Sequence, residues 1–406
     1  MDHNRYTLRN GLRIIHQPIS SKVAYCGFAI NTGARDEFAH EQGMAHFVEH
    51  LVFKGTELRS AWRILNGMET VGGEINAYTN KEETVVYSAF LVEHFNRAVG
   101  LLGDIVFHST FLEPEIRKEA EVVMDEIRSY EDNPSELIFD DFENLIFRNH
   151  SLGHHILGDP ALLKEYTRQD VLNFTSRYYH PSNVIFFVLG DIRFKQVVYQ
   201  IEKAIGDLPD VRVDNKRIPP PDYVQRSETL HKGTSQAHVI FGCRAYSALS
   251  EKRTALYLLN NMLGGPGMNS KLNVSLRERR GLVYNVESNL ISYTDTGIFS
   301  IYFGSDPCQA KRCLRLIENE MKALRTKKLT ESQLSAAKKQ LIGQIGVASD
   351  NNENNALSMA KTFLHYDKWE SPGSVFKRIN GLTAEQLQET ACELFDPDRM
   401  STLIYL

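Results

Sequence analysis

At 406 residues, with 42% hydrophobic and 24% charged side chains, the chain has the composition of a folded globular protein long enough for two or more domains. A net charge of −5 gives no electrostatic case for binding nucleic acid or an anionic membrane, and no apolar run approaches the roughly 20 residues of a membrane span. The five cysteines are scattered and odd in number, and the first residues lack a signal peptide's apolar stretch. A cytoplasmic chain with reduced thiols is therefore expected, with a removed targeting segment left open.

The chain opens with a predicted hairpin over 6–15, turning at Asn10-Gly11, and a predicted strand from Val23 to Ile30. After a loop at Gly33 to Glu37, the run from Met44 to Phe53 is mostly apolar and meets no Pro or Gly until Gly55, so it predicts a helix. On that helix His46, Glu49 and His50 project together, because residues three and four apart share a face. Two imidazoles at this spacing can bind one zinc ion, and Glu49 is placed to take a proton from a water that the metal activates. The order H-x-x-E-H is the inverse of the commoner H-E-x-x-H and is itself a zinc-peptidase signature. Phe47, Val48, Leu51, Val52 and Phe53 imply that the helix is buried. Buried His and Glu need partners, which favours a metal over a polar stripe on a surface helix.

Gly72 to Thr79 reads as a Gly-broken turn leading into a strand at Thr84 to Phe90, and Val92 to Phe107 has helical spacing. Glu113 to Glu131 predicts a helix with Pro114 in its first turn, and Glu119 and Glu126 lie two turns apart on one face. The residues alone leave two readings open there, a further metal ligand or a solvated acidic face, since Glu115, Glu121 and Asp125 share the helix. His150, His154 and His155 have no carboxylate or Cys at useful spacing and read as a loop. Thr167 opens a further helix that ends near Tyr178, and Val184 to Leu189 is a strand. The stretch 206–223 is a linker with Pro209, Pro219, Pro220 and Pro221.

Beyond the linker the chain repeats itself. Thr383 through Pro397 mirrors Thr167 through Pro181, and Leu329 to Leu334 mirrors Phe111 to Ile116. At the second offset Glu119 falls on Ala337 and Glu126 on Gln344, while Leu256 to Asn260 takes the place of His46 to His50. The expectation is an α+β chain of two homologous domains, each a mainly antiparallel sheet backed by helices. They are a metal-binding domain over 1–205 and, after the linker, a domain over 224–406 that lacks the ligands.

With these motifs the chain resembles the pitrilysin family of zinc peptidases over essentially its whole length, most closely the short members typified by mitochondrial processing peptidase subunits. The resemblance rests on His46-Phe47-Val48-Glu49-His50, on the following Leu51-Val52-Phe53-Lys54-Gly55-Thr56 and on the two-half organisation. It implies Zn2+ as cofactor, Glu126 as third ligand beside His46 and His50, Glu119 as the residue that orients a ligand, and Glu49 as general base. It also implies that Asn76 and Ala77, in Ile75 to Thr79, lie on the strand that holds substrate. Arg277 and Tyr284 are implied as contacts to the substrate carbonyl; the residues alone do not single out Arg277 from Arg279 and Arg280. The Gly-rich loop of the processing peptidase's partner subunit is much shorter here, at Leu263 to Asn269, so a catalytic-type subunit is expected.

The expected activity is endopeptidase cleavage of extended or unfolded peptides. The competing reading is a non-catalytic scaffold of the same fold, or a subunit that needs a different partner chain. A complete set of ligands, base and Arg/Tyr pair favours the enzyme. Expected partners are peptide substrates and a second copy in a homodimer, with a heterodimer as the alternative and no nucleic acid or membrane.

Overall fold

The structure is a computed structural model that describes residues 3–406. Through the first half the elements run β1 (Asn4–Thr7), β2 (Arg13–Gln17), β3 (Val23–Ile30), α1 (Met44–Leu51), α2 (Ala61–Glu69), β4 (Glu74–Thr79), β5 (Thr84–Leu91), α3 (Phe95–Phe107), α4 (Glu113–Glu131), α5 (Pro134–Ile146), α6 (Pro160–Glu165), α7 (Arg168–Tyr178), β6 (Val184–Leu189) and α8 (Phe194–Ile205). The second half runs β7 (Ser227–Leu230), β8 (Ala237–Ala245), α9 (Arg253–Gly264), β9 (Val283–Ser292), β10 (Gly297–Ser305), α10 (Ala310–Thr326), α11 (Glu331–Ala348), α12 (Asn352–Tyr366), α13 (Pro372–Gly381), α14 (Ala384–Leu394) and β11 (Ser401–Tyr405). No helix among the described residues is long and apolar enough to cross a membrane.

Local chemistry explains the element ends. Thr167 and Thr383 each cap a helix, accepting from the N–H three residues on, with Asp170 and Gln386 answering to the cap's own N–H. The repeat read from the sequence is therefore a repeat of capping boxes as well as of apolar positions. Two local expectations are corrected. The first hairpin closes through a longer loop than the two-residue turn, with Leu8 N–H bonded to the Leu12 carbonyl at 2.9 Å and Gly11 at φ +88. Gly72 turns the chain at φ +71, but Glu74 to Thr79 is already a full strand. Its alternation was masked by polar residues on one face, since Glu74 and Asn76 are exposed while Ile75 and Ala77 pack against the core.

The chain makes two sheets on one plan. The first has the order β1-β2-β6-β3-β5-β4 and the second β7-β11-β8-β10-β9. All neighbours are antiparallel except β2 with β6 and β7 with β11. In each sheet the strand after the capped helix inserts between two earlier strands, β6 between β2 and β3 and β11 between β7 and β8. In each, a strand of the middle hairpin (β4, β9) is left at the edge.

By contacts the chain divides into unit 1 (1–128, 154–217 and 349–371) and unit 2 (129–153, 218–348 and 372–406). This runs differently from a contiguous division at 205 and 224. Each unit includes one helix from the other half of the sequence. In unit 1, α12 lays Ala356, Met359, Ala360, Phe363 and Leu364 on a sheet face formed by Ile15, Ala29, Val85, Ile185 and Phe187. In unit 2, α5 lays Ile138, Phe142, Leu145 and Ile146 on Ile240, Ile298, Leu403 and Tyr405. The two helices hold equivalent places in the repeat, each following the long helix α4 or α11. The opposite face of the first sheet is covered by α1 and α3.

The β4–β5 turn of unit 1, residues 80–83, gathers buried charge. Glu83, 1% exposed at its side chain, accepts from Lys361 Nζ at 2.7 Å and lies 3.0 Å from His365 Nε2, both on α12. Glu82 pairs with Arg35 at 2.6 Å, and Arg217 bonds Asp36 twice at 2.9 Å and the Glu82 carbonyl at 2.6 Å.

Burial works against charge on Glu83, but His365 and Lys361 outweigh it and hold its pKa down at about 2. The unfolded chain, with an ordinary carboxyl, binds the proton first as pH falls. Glu83 thus contributes stability above about pH 4.5 that is lost as pH drops toward 2, on the order of 2 kcal/mol. Glu83→Gln should lower the unfolding midpoint clearly at pH 6, and that deficit should shrink as pH falls from 4.5 to 3. Thermal melts of both proteins across this range check it; a deficit that is constant with pH would contradict it.

Candidate metal centre

Helix α1 is buried through Met44, Ala45, His46, Phe47, Val48 and Leu51. Its start is built by two residues. Gly43 takes φ +90, and a Cβ there would meet Gly158 Cα at 2.7 Å, so only glycine fits. The buried Glu37 carboxylate accepts from Gly43 N–H at 2.9 Å and Ala45 N–H at 2.8 Å, satisfying donors at the helix N-terminus.

His46, His50 and Glu126 come together in unit 1, with one ligand atom from each lying within 4.8 Å of the other two. His46 Nε2 is 3.8 Å and His50 Nε2 3.5 Å from the same oxygen, Glu126 Oε2. These gaps exceed ordinary hydrogen bonds. They are close to the separation, about 3.3–3.5 Å, of two ligands that each bond one tetrahedral metal at about 2.0–2.1 Å. Two imidazole nitrogens and one carboxylate oxygen form a set that leaves a fourth position open. Glu126, 45% exposed at its side chain, provides the solvent side. The residues present fit a divalent metal, zinc in particular.

Neighbours tune the set. Glu119 Oε1 is 2.8 Å from His50 Nδ1, which turns Nε2 toward Glu126, and Lys54 Nζ holds the other Glu119 oxygen at 2.6 Å. Burial and then the neighbouring His50 push the His46 pKa down to about 3, keeping it in the neutral form that binds metal. Burial also works against charge on His50, but Glu119, Glu49 and Glu126 outweigh it and hold its pKa above the ordinary value. For Glu119 burial opposes ionisation, and the bonds from His50 and Lys54 prevail and lower its pKa. Burial raises the pKa of Glu49, with a hydrogen bond from Thr79 pulling the other way. That bond, Thr79 Oγ1 to Glu49 Oε2, is 2.6 Å long.

The other predicted residues fall in two places. Asn76 and Ala77 are on β4, the edge strand of the first sheet. Arg277 and Tyr284 are in unit 2, with Arg277 in a π-helical turn over Asn273–Glu278 and Tyr284 at the start of β9. Arg277 lies 5.8 Å from the centre of the Tyr284 ring, and Tyr284 is 83% exposed. In unit 2, Leu256, Leu259 and Asn260 are buried on α9, with Ala337 and Gln344 on α11, and among the described residues no other trio of metal-ligating side chains forms, at His150 to His155 or elsewhere. Glu37, Lys54 and Thr79 were not singled out from sequence. Lys54 carried a local signal, one turn beyond His50, whereas Glu37 and Thr79 depend on how distant segments pack.

Residues 13–160 match the family model described as insulinase (peptidase family M16), and residues 165–341 match that of the peptidase M16 inactive domain. A protein named as an uncharacterized zinc protease, YmxG of Bacillus subtilis, is 33% identical over 98% of this chain and 97% of its own length. An uncharacterized zinc protease of Rickettsia bellii is 30% identical over 98% and 96%. The fold is shared with the crystal structure of a protease from Helicobacter pylori, at a TM-score of 0.93 and 22% identity over 100% of this chain and 99% of that one. It is shared too with a structure described as a peptidase M16 inactive domain from Pseudomonas fluorescens, at 0.92 and 18% over 100% and 98%. The inverted motif, the duplicated sheets and these full-length matches place the chain in peptidase family M16, the pitrilysin family of zinc peptidases, in its short form.

Proposed function

We propose that the chain is a zinc-dependent endopeptidase acting on extended peptides, a reading carried by the convergence of His46, His50 and Glu126. When bound by these residues, zinc supplies Lewis-acid activation of water and of the scissile carbonyl. Glu49 takes the proton of the attacking water and passes it to the leaving amine. Its raised pKa, from burial, suits a group that must accept a proton and give it up again. Glu119 fixes the tautomer and direction of His50.

Among the described residues β4 pairs only with β5, so the backbone groups along its other side are available to a further strand. A peptide added there is held at Asn76 and Ala77 by main-chain bonds, which requires it to be extended. Arg277 and Tyr284, both exposed, act as donors to the oxyanion that develops at the cleaved carbonyl. In our reading they serve the metal centre of a second copy in a two-fold homodimer. The full ligand set favours this enzyme over a non-catalytic scaffold, which would be free to lose ligands as the second half has.

The purified chain should bind about one zinc, and chelation should remove both metal and peptide cleavage. His50→Ala should lose metal, Glu119→Gln should weaken metal binding by about 10–100-fold, and Glu49→Gln should keep metal while losing turnover. Metal analysis beside a peptide-cleavage assay separates these; full activity in Glu49→Gln would refute the base assignment. For the dimer, Glu49→Gln and Arg277→Ala should each be nearly inactive alone, and activity should return when they are mixed and allowed to exchange. No recovery, with exchange verified by mass spectrometry, would overturn the arrangement across copies.

A further inference from the structure

Glu49 receives one hydrogen bond among the described residues, from Thr79 Oγ1 to Oε2 at 2.6 Å. The direction of this bond follows from counting protons. Thr84 Oγ1 lies 3.4 Å from Thr79 Oγ1, and it donates its own proton to the Thr32 carbonyl at 3.0 Å. Thr84 therefore offers Thr79 at most a distant acceptor, and the Thr79 proton goes to the nearer Glu49 oxygen. Oε1 of Glu49 takes no bond from the described residues and is left for chemistry.

Thr79 is well placed to hold a direction. It is 8% exposed, it is the last residue of β4, and it pairs with Thr84 at the first position of β5. Its β-branched side chain has few rotamers. The turn that follows is pinned by Ala34 N–H to the Asn80 carbonyl at 3.1 Å and by Arg35 N–H to the Lys81 carbonyl at 2.8 Å, beyond the ion pairs of Glu82 and Glu83. The backbone beneath the Thr79 hydroxyl is thus fixed from several directions.

We propose that Thr79 is a positioning residue for the general base, so that the strand which pairs with the peptide also aims the carboxylate that acts on it. This rests on the peptidase reading above. Thr79 is two residues beyond Ala77, about 6–7 Å along the strand. A peptide registered on β4 and a carboxylate held by β4 keep one spacing, whatever else in the unit moves. Holding Oε2 also decides which oxygen takes the proton, since only Oε1 is uncommitted.

The test compares Thr79→Val, which keeps the shape and removes the hydroxyl, with Thr79→Ser, which restores it; Thr79→Ala is a second hydroxyl-free variant should valine disturb the strand. In the zinc-loaded chain, Thr79→Val should lose about 10–100-fold in kcat with KM and zinc affinity little changed, and Thr79→Ser should recover most of it. In the metal-free chain, with glutamate labelled by 13C at the side-chain carboxyl, the Glu49 signal is identified by its loss in Glu49→Gln. That signal should shift in Thr79→Val and return toward its original position in Thr79→Ser. An unmoved carboxyl signal, an unchanged kcat, or a loss confined to zinc affinity would overturn the proposal. If the wild-type chain cleaves no peptide, the peptidase reading falls, while the carboxyl signal still decides whether Thr79 holds Glu49.

Discussion

Helix α1 takes three ionisable side chains into an apolar core. Met44, Ala45, Phe47, Val48 and Leu51 are buried there, and His46, Glu49 and His50 ride the same two turns. Groups of this kind cost several kcal/mol when left without partners, so the surroundings of α1 are arranged to meet them. Glu37 meets the first N–H groups, Glu119 with Lys54 behind it meets His50 Nδ1, and Thr79 meets Glu49. Nδ1 of His46 is buried without a partner among the described residues, while Nε2 of His46 and of His50 face Glu126 at distances too long for good hydrogen bonds and suited to a shared ion. The centre is where these two nitrogens and the Glu126 oxygen converge.

The duplication supplies the frame that holds these partners. Both sheets follow one strand order, yet in unit 2 the positions equivalent to the three ligands, Glu49 and Glu119 are Leu256, Leu259, Asn260, Ala337 and Gln344, and among the described residues none of them joins a metal-ligating trio. The exchange of α5 and α12 also bears on the chemistry. α12 comes from the second half of the sequence, and its Lys361 and His365 hold Glu83 in the turn next to Thr79. A helix encoded some 280 residues downstream thus steadies the strand end that touches the general base.

How much of this could be read in advance depended on range. The helices α1, α4 and α7 and the strands β3 and β6 carry periodic apolar positions, α7 with a capping box as well, and they form where those patterns lie. The metal-binding face of α1 was legible because its residues are three and four apart. Glu126 was not legible from periodicity alone, because Glu115, Glu121 and Asp125 give the same helix a solvated acidic face; resemblance to the family singled it out. The residues alone read β4 as a turn, because Gly72 and Gly73 precede it and its outward residues are polar, whereas the resemblance marks Ile75 to Thr79 as a strand. The pairings of Thr79 with Glu49 and of Glu83 with α12 span 30 and 278 residues, and no local pattern encodes contacts at that separation. The seating of α5 and α12 on sheets of the other half was hidden for the same reason, since an apolar stripe states that a helix is covered and not by what.

The identity of the atoms around the metal decides whether His46, His50 and Glu126 form the centre. X-ray absorption at the zinc edge of the zinc-loaded chain reads them directly. The structure predicts a shell of nitrogen and oxygen at about 2.0–2.1 Å with the outer-shell scattering of two imidazoles and no sulfur, and loss of the zinc, or of one imidazole from any zinc retained, in His46→Ala. A sulfur shell at about 2.3 Å, or a spectrum unchanged by His46→Ala, would contradict it.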